Sequence, residues 1–137
     1  MKKVFSGIQP TGNIHIGNYL GAIKNWIALQ DNYQCLFGVM NLHAITIKQD
    51  PQQLHDNCLT AVATYLACGL DEKKSKIFLQ SQVSSHLELA WIFASITPMG
   101  WLNRMTQFKD KTKNQDANSP LANLALYSYP VLMASDI

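Results

Sequence analysis

Residues 35–40 read CLFGVM. The run is apolar without alternation, the pattern of a strand buried on both faces of a sheet. Upstream, from about Gly17 to Leu29, the spacing turns helical, with Leu20, Ile23 and Ile27 on one face and Trp26 beside them. Earlier still, Lys3 to Ser6 is short, partly apolar and stopped by Gly7, which predicts a first strand. Strand, helix, buried strand is a βαβ unit, whose crossover is right-handed and whose strands are parallel. The expected fold class is therefore α/β.

Downstream the punctuation is equally plain. Asp50 can cap a helix, Pro51 suits its first position, and Gln53 has the capping-box spacing. Leu54, Cys58, Ala61, Val62, Tyr65 and Leu66 form its apolar stripe, and Gly69 ends it. Lys76 to Gln80 predicts a third strand. Ser84 or Ser85 is expected to cap a helix carrying Leu87, Trp91, Phe93 or Ala94, and Ile96, stopped near Pro98. A short helix is expected over 101–108, a mobile polar loop over 110–120, and a last helix opened by Pro130. Trp26, Trp91 and Trp101 have helical spacing and are expected to serve packing. His55 and His86 fall on polar helix positions with no metal-ligand pattern.

Composition narrows the classes. With 137 residues there is room for one domain with a real core. A net charge of +2 is too small to indicate nucleic-acid binding by itself. Its lysines gather at Lys73, Lys74 and Lys76 and at Lys109, Lys111 and Lys113, and a solvated surface accounts for both groups. Cys35, Cys58 and Cys68 form no CxxC pair, which argues against a disulfide framework and a zinc site and fits a reducing, cytoplasmic compartment. The opening MKKVF lacks the apolar stretch of a signal peptide, and no apolar run is long enough for a membrane span.

The most specific feature is the first strand-to-helix connection, TGNIHIGN at Thr11–Asn18. A helix N-terminus leaves N–H groups unpaired and favours phosphate. Gly17 removes a side chain where a base or ribose approaches the backbone, and His15 and Asn18 can each donate to a phosphate oxygen. The place is the carboxyl edge of a parallel strand, where open α/β sheets bind ligands. On spacing alone, an ordinary βα turn with a tolerated histidine explains the string equally well.

HIGN at His15–Asn18 resembles the HIGH signature of class I aminoacyl-tRNA synthetases, with asparagine in place of the second histidine. FSGIQPTG at Phe5–Gly12 followed by HIGNYLGA is similar to the opening of the bacterial tryptophanyl-tRNA synthetases. NLHAIT at Asn41–Thr46, RMTQFKDK at Arg104–Lys111 and YPVLMASDI at Tyr129–Ile137 resemble the same family in the same order. The resemblance covers the whole chain. Tyrosyl-tRNA synthetases share the HIGH-like motif but neither GIQPTG nor HAIT.

This resemblance implies the first part of a Rossmann-like nucleotide-binding fold plus a mostly helical insertion. It implies that Gln9, Pro10 and Thr11 lie along ATP, with Gln9 near the α-phosphate and the amino-acid carboxylate, and that Gly17 lies under the adenine. His15 and Asn18 would hold phosphate oxygens, and Lys111 would reach the triphosphate from the polar loop, with Lys109 and Lys113 as substitutes. Asp136 would accept the indole N–H of tryptophan, its only polar side-chain atom. Phe5, His43, Tyr129 and Met133 would complete the pocket, with Tyr129 toward the ammonium. Without the resemblance, Asp136 reads as an exposed carboxylate at a helix start and His43 as a core histidine.

The implied activity is tryptophan–tRNA ligation through a tryptophanyl-adenylate, with ATP and Mg2+ as the substrate complex, no structural metal, and tRNA(Trp) as acceptor. Residues 1–46 would be the first half of the nucleotide-binding fold. Residues 47–124 would be a connective insertion with a homodimer interface, and 125–137 the start of a specificity helix. The last helical pattern meets Ile137 without a stop signal, and no KMSKS-like lysine loop is present. A piece of a longer enzyme, inactive alone, is therefore expected. Two rivals are a nucleotidylyltransferase of the HxGH type, which needs no indole acceptor, and a non-catalytic dimerisation fragment.

Overall fold

A computed structural model describes residues 2–113 and 122–137. Three parallel strands, β1 (Lys3–Ile8), β2 (Gln34–Val39) and β3 (Ser75–Leu79), lie in the order β1-β2-β3. Val4 stands opposite Cys35, and Cys35 opposite Ser75. The α/β expectation is met, and CLFGVM is the central strand: Cys35, Phe37 and Val39 are buried.

The β1–β2 crossover is helical without a break from Ile16 to Leu29. It comprises α1 (Ile16–Asn18), a π turn (Tyr19–Ile23) and α2 (Lys24–Leu29). The π turn places Ile23 and Trp26 in the core, whereas Leu20 is exposed. The indole of Trp26 stacks on Phe37 at 4.5 Å and meets Tyr65 edge-on at 5.3 Å. Such aromatic pairs add about 0.5–1.5 kcal/mol each beyond their buried area.

After β2 come α3 (Asn41–Ala44) and α4 (Pro51–Ala67). The Asp50 carboxylate accepts the Gln53 N–H at 2.8 Å, so the predicted cap forms. The reciprocal half of the box does not: the Gln53 amide instead donates to Asn57, one turn on. Ala61 and Tyr65 are the buried positions of α4, while Leu66 is exposed and drops out of the stripe. Gly69 has φ +108, a conformation that favours glycine at a helix end. Gln30 then ties the crossover to the α4–β3 connection. Its amide donates to Gly69 O at 3.1 Å and accepts from Asp71 N at 2.9 Å.

The remaining elements are a 3-10 turn (Gln80–Gln82), α5 (Ser84–Ile96), α6 (Met99–Leu102), α7 (Thr106–Thr112) and α8 (Leu124–Ser135). Several expectations need correction here. Ser84 is the first residue of α5, preceded by Val83 with no side-chain cap. The single helix expected over 101–108 is two, separated at Asn103–Met105. The expected loop over 110–120 begins as helix through Thr112, and residues 114–120 lie outside the described residues. Pro130 does not open the last helix; Asn123 does, its side chain accepting Leu126 N–H at 2.9 Å, and Pro130 sits inside. Trp91 and Trp101 are exposed, so only Trp26 packs as all three were expected to.

The chain divides into two compact units. Residues 1–44 with 49–82 hold the sheet, its crossover and α4. Residues 45–48 with 83–137 hold α5 to α8, and there the Asn123 amide donates to Thr46 O at 2.8 Å. No helix among the described residues is long and apolar enough to cross a membrane.

Candidate active site

β1 ends at Ile8, and the chain leaves the sheet through Gln9 to Asn13. Pro10 is fully buried and anchors this connection; Gln9 and Thr11 are exposed. Gly12 has φ +148 with open space around its Cα, so backbone conformation and not crowding selects glycine there.

His15 is the N-cap of α1. Its Nδ1 accepts the Gly17 N–H at 3.1 Å, while Asn18 Oδ1 accepts the His15 N–H at 3.1 Å. This reciprocal cap uses the acceptors of both side chains. With Nδ1 accepting, a neutral imidazole carries its hydrogen on Nε2, and the Asn18 amide keeps its NH2 as donor. The turn therefore presents donors at a helix start, where an anion is favoured. Gly17 has a reason the sequence did not show. A Cβ there would stand 2.9 Å from His15 Cε1 and 3.0 Å from Nδ1, displacing the imidazole from its cap.

Around the sheet, Phe5 lies on β1 with its ring 6.1 Å from Phe78. His43 is buried on α3. The fully buried Gln80 accepts the N–H groups of Leu42 at 3.1 Å and His43 at 3.3 Å. Asn41 and Ser81 add paired contacts of 2.8 and 3.0 Å between the same segments. Gln80 had no sequence signal, since its partners are backbone groups more than thirty residues away.

In the second unit, Tyr129, Met133 and Asp136 follow one another at four and three residues, so they share one face of α8 and its C-cap. Asp136 is neither exposed nor at a helix start: it is buried, at the C-terminal end of α8. Its Oδ1 lies 2.9 Å from Nδ1 of His86, an ion-pair distance without the alignment of a straight hydrogen bond. His86, read from sequence as a polar surface position, is thus mostly buried beside a carboxylate. Only the folded pairing of α5 with α8 reveals it. Lys111 is exposed near the C-terminal end of α7, where a cation is favoured by the helix dipole.

A parallel sheet with a donor-bearing strand-to-helix turn at its carboxyl edge places the chain among the open α/β proteins, whose ligands bind at that edge. Over residues 1–137 the chain matches the family described as class I tRNA synthetases (W and Y), and it belongs to that family. It is 56% identical over 99% of its length to the tryptophan–tRNA ligase of Wolinella succinogenes, covering 40% of that protein. With that of Caldanaerobacter subterraneus it shares 54% identity over its full length and covers 41%. The chain thus spans about two-fifths of the length of these curated relatives. Among solved structures, tryptophanyl-tRNA synthetase from Campylobacter jejuni, complexed with ADP and tryptophan, superposes with a TM-score of 0.88. The match has 45% identity over 98% of this chain and 41% of that one. A tyrosyl-tRNA synthetase from Archaeoglobus fulgidus, 20% identical with a TM-score of 0.79 over 99% of this chain and 42% of that one, shares the fold.

Proposed function

We propose that the full-length protein activates L-tryptophan with ATP and transfers it to tRNA(Trp). The observation that carries this reading is the reciprocal cap of His15 and Asn18, which turns both side chains' acceptors inward and leaves donors for phosphate. The relatives named above supply the amino acid: their names specify tryptophan, and one of them was crystallised with ADP and tryptophan.

The substrate is ATP with Mg2+. In the step itself, a tryptophan carboxylate oxygen attacks the α-phosphorus, the bond from that phosphorus to the bridging oxygen breaks, and pyrophosphate leaves with that electron pair. The protein supplies no nucleophile; its work is positioning and charge stabilisation. Gln9, Pro10 and Thr11 line the nucleotide, with Gln9 between α-phosphate and carboxylate, and Gly17 lies under the adenine. His15 Nε2–H and the Asn18 amide donate to phosphate oxygens as charge builds, and Lys111 neutralises the triphosphate. Asp136 accepts the indole N–H, while Phe5, His43 and Met133 wall the ring and Tyr129 faces the ammonium. The protein is cytoplasmic and homodimeric. Residues 47–124 form the connective insertion and carry the dimer surface.

ATP–pyrophosphate exchange tests the reading. The full-length protein, offered each standard amino acid in turn, should exchange label with tryptophan and, at best weakly, with tyrosine. Exchange that ignores tryptophan but responds to pantetheine phosphate or nicotinamide mononucleotide would place it instead with the nucleotidylyltransferases.

A further inference from the structure

Asp136 is an awkward place for a carboxylate. Its side chain is 2% exposed, and it caps the C-terminal end of α8, where the helix dipole disfavours negative charge. Burying an ionised group costs several kcal/mol unless it is compensated. One basic group beside it is a histidine: His86 Nδ1 lies 2.9 Å from Oδ1 and is itself only 11% exposed at the side chain. A second link fixes the same two segments. The Ser135 hydroxyl, one residue before Asp136, is 2.8 Å from the carbonyl oxygen of His86 and 2.6 Å from that of Leu132. The hydroxyl has one proton for the two carbonyls, so it is held between the last turn of α8 and the backbone of α5. Side chain to side chain and hydroxyl to backbone, residues 135–136 are registered against residue 86.

We infer that His86 is a positioning residue for substrate selection, holding the Asp136 carboxylate by one oxygen in the orientation that receives the N–H of an aromatic amino-acid side chain. The inference rests on the reading of Asp136 given above. A carboxylate offers about four lone-pair sites, so an imidazole contact at one oxygen orients it without exhausting it. A guanidinium would engage both oxygens in a fork and compete with the ligand for them. An unassisted carboxylate at this helix end would turn toward solvent and lose the acceptor geometry. Histidine meets both requirements, which a purely structural counter-charge need not.

The test is a substrate-pair measurement on the full-length protein, comparing L-tryptophan with β-(3-benzothienyl)-L-alanine, whose ring carries sulfur where indole has N–H. The ratio of the two kcat/KM values on one sample does not depend on how much of that sample is folded. His86→Ala should reduce the preference for tryptophan about tenfold, the size expected when one hydrogen bond to a charged acceptor is misaligned. The change should appear in KM for tryptophan, with KM for ATP within about twofold of wild type. His86→Asn, whose amide can donate from near the Nδ1 position, should restore most of the preference. Asp136→Ala, run in parallel, should abolish it. Equal loss toward both amino acids in His86→Ala, or no rescue by His86→Asn, would mean that His86 only supports the fold. If Asp136→Ala abolishes the preference and His86→Ala leaves it intact, the positioning role fails and the Asp136 reading stands. If neither changes it, the Asp136 reading itself fails, and this inference with it.

Discussion

A side chain at position 17 would meet the His15 ring before it met any ligand. Gly17→Ala should therefore act through the imidazole, swinging it off its cap and disordering the donor pair with Asn18. In the full-length enzyme we expect kcat for exchange to fall about tenfold or more, on the scale of losing one preorganised donor. The thermal midpoint should hardly move, because the turn is exposed; a large fall in stability with catalysis intact would contradict the assignment. Tyr65 makes the opposite case at the same scale. Its hydroxyl is buried and has no hydrogen-bond partner among the described residues. Burial, with a smaller contribution from Cys58, pushes the phenol well above its ordinary value. The folded state then resists ionisation that the unfolded chain accepts. The stability held below the unfolded pKa of about 10 is lost as pH rises beyond it. Tyr65→Phe should be neutral or stabilising by up to about 1 kcal/mol at pH 7 and should flatten the alkaline loss. Urea unfolding at pH 7 and pH 10.5 measures both. Of these residues, the sequence marked Gly17, His15 and Asn18 because the turn is local. It could not mark Gln80, His86 or the orphan hydroxyl of Tyr65, whose surroundings are assembled from distant segments.

Elements were legible in proportion to how local their signals are. The three strands and α4 lie within two residues of expectation, because apolar runs, Asp50–Pro51 and Gly69 are signals in the chain itself. Asp50→Ala should remove the 2.8 Å cap on Gln53 and destabilise the fold by about 1 kcal/mol, read as a lower urea midpoint with unchanged slope. A larger loss would show that the unclosed half of the box matters after all. The misread elements were those where a local rule met tertiary context. Proline's preference for a first turn suggested that Pro130 opens α8, but Asn123 is anchored both to Leu126 N–H and to Thr46 O, and the helix starts there. The polarity of 110–112 suggested a loop, yet α7 runs through it, with the Phe108 ring edge-on to Tyr127 at 5.2 Å. Tyr127 in turn reaches Asn103 at 2.9 Å and the Met99 carbonyl at 3.2 Å, tying α8 to α6.

At the scale of the whole molecule, the two units bury apolar surface to different degrees. The unit with the sheet encloses Ile23, Trp26, Phe37, Val39 and Tyr65. The helical unit leaves large apolar side chains in water: Trp91 is 79% exposed, Ile96 72% and Trp101 64%. Ile96 and Trp101 also line a groove of about 440 Å³ with Phe93, Leu102, Met105 and Val131. Exposed groups of this size mark surfaces that a partner covers. Several follow one another on α5 and α6 inside residues 47–124, the segment proposed to carry the homodimer contact. A two-fold interface presents the same patch from each subunit, so one charge placed in it appears twice and faces its own copy. Ile96→Glu should therefore convert a dimer of the full-length protein into monomers at micromolar concentration. Leu59→Glu is the matched control: Leu59 is also exposed, but it lies on α4 in the other unit, and its substitution should leave the dimer intact. Sedimentation velocity distinguishes the outcomes. A monomeric wild type, or dissociation by Leu59→Glu and not by Ile96→Glu, would move the subunit contact off α5 and α6.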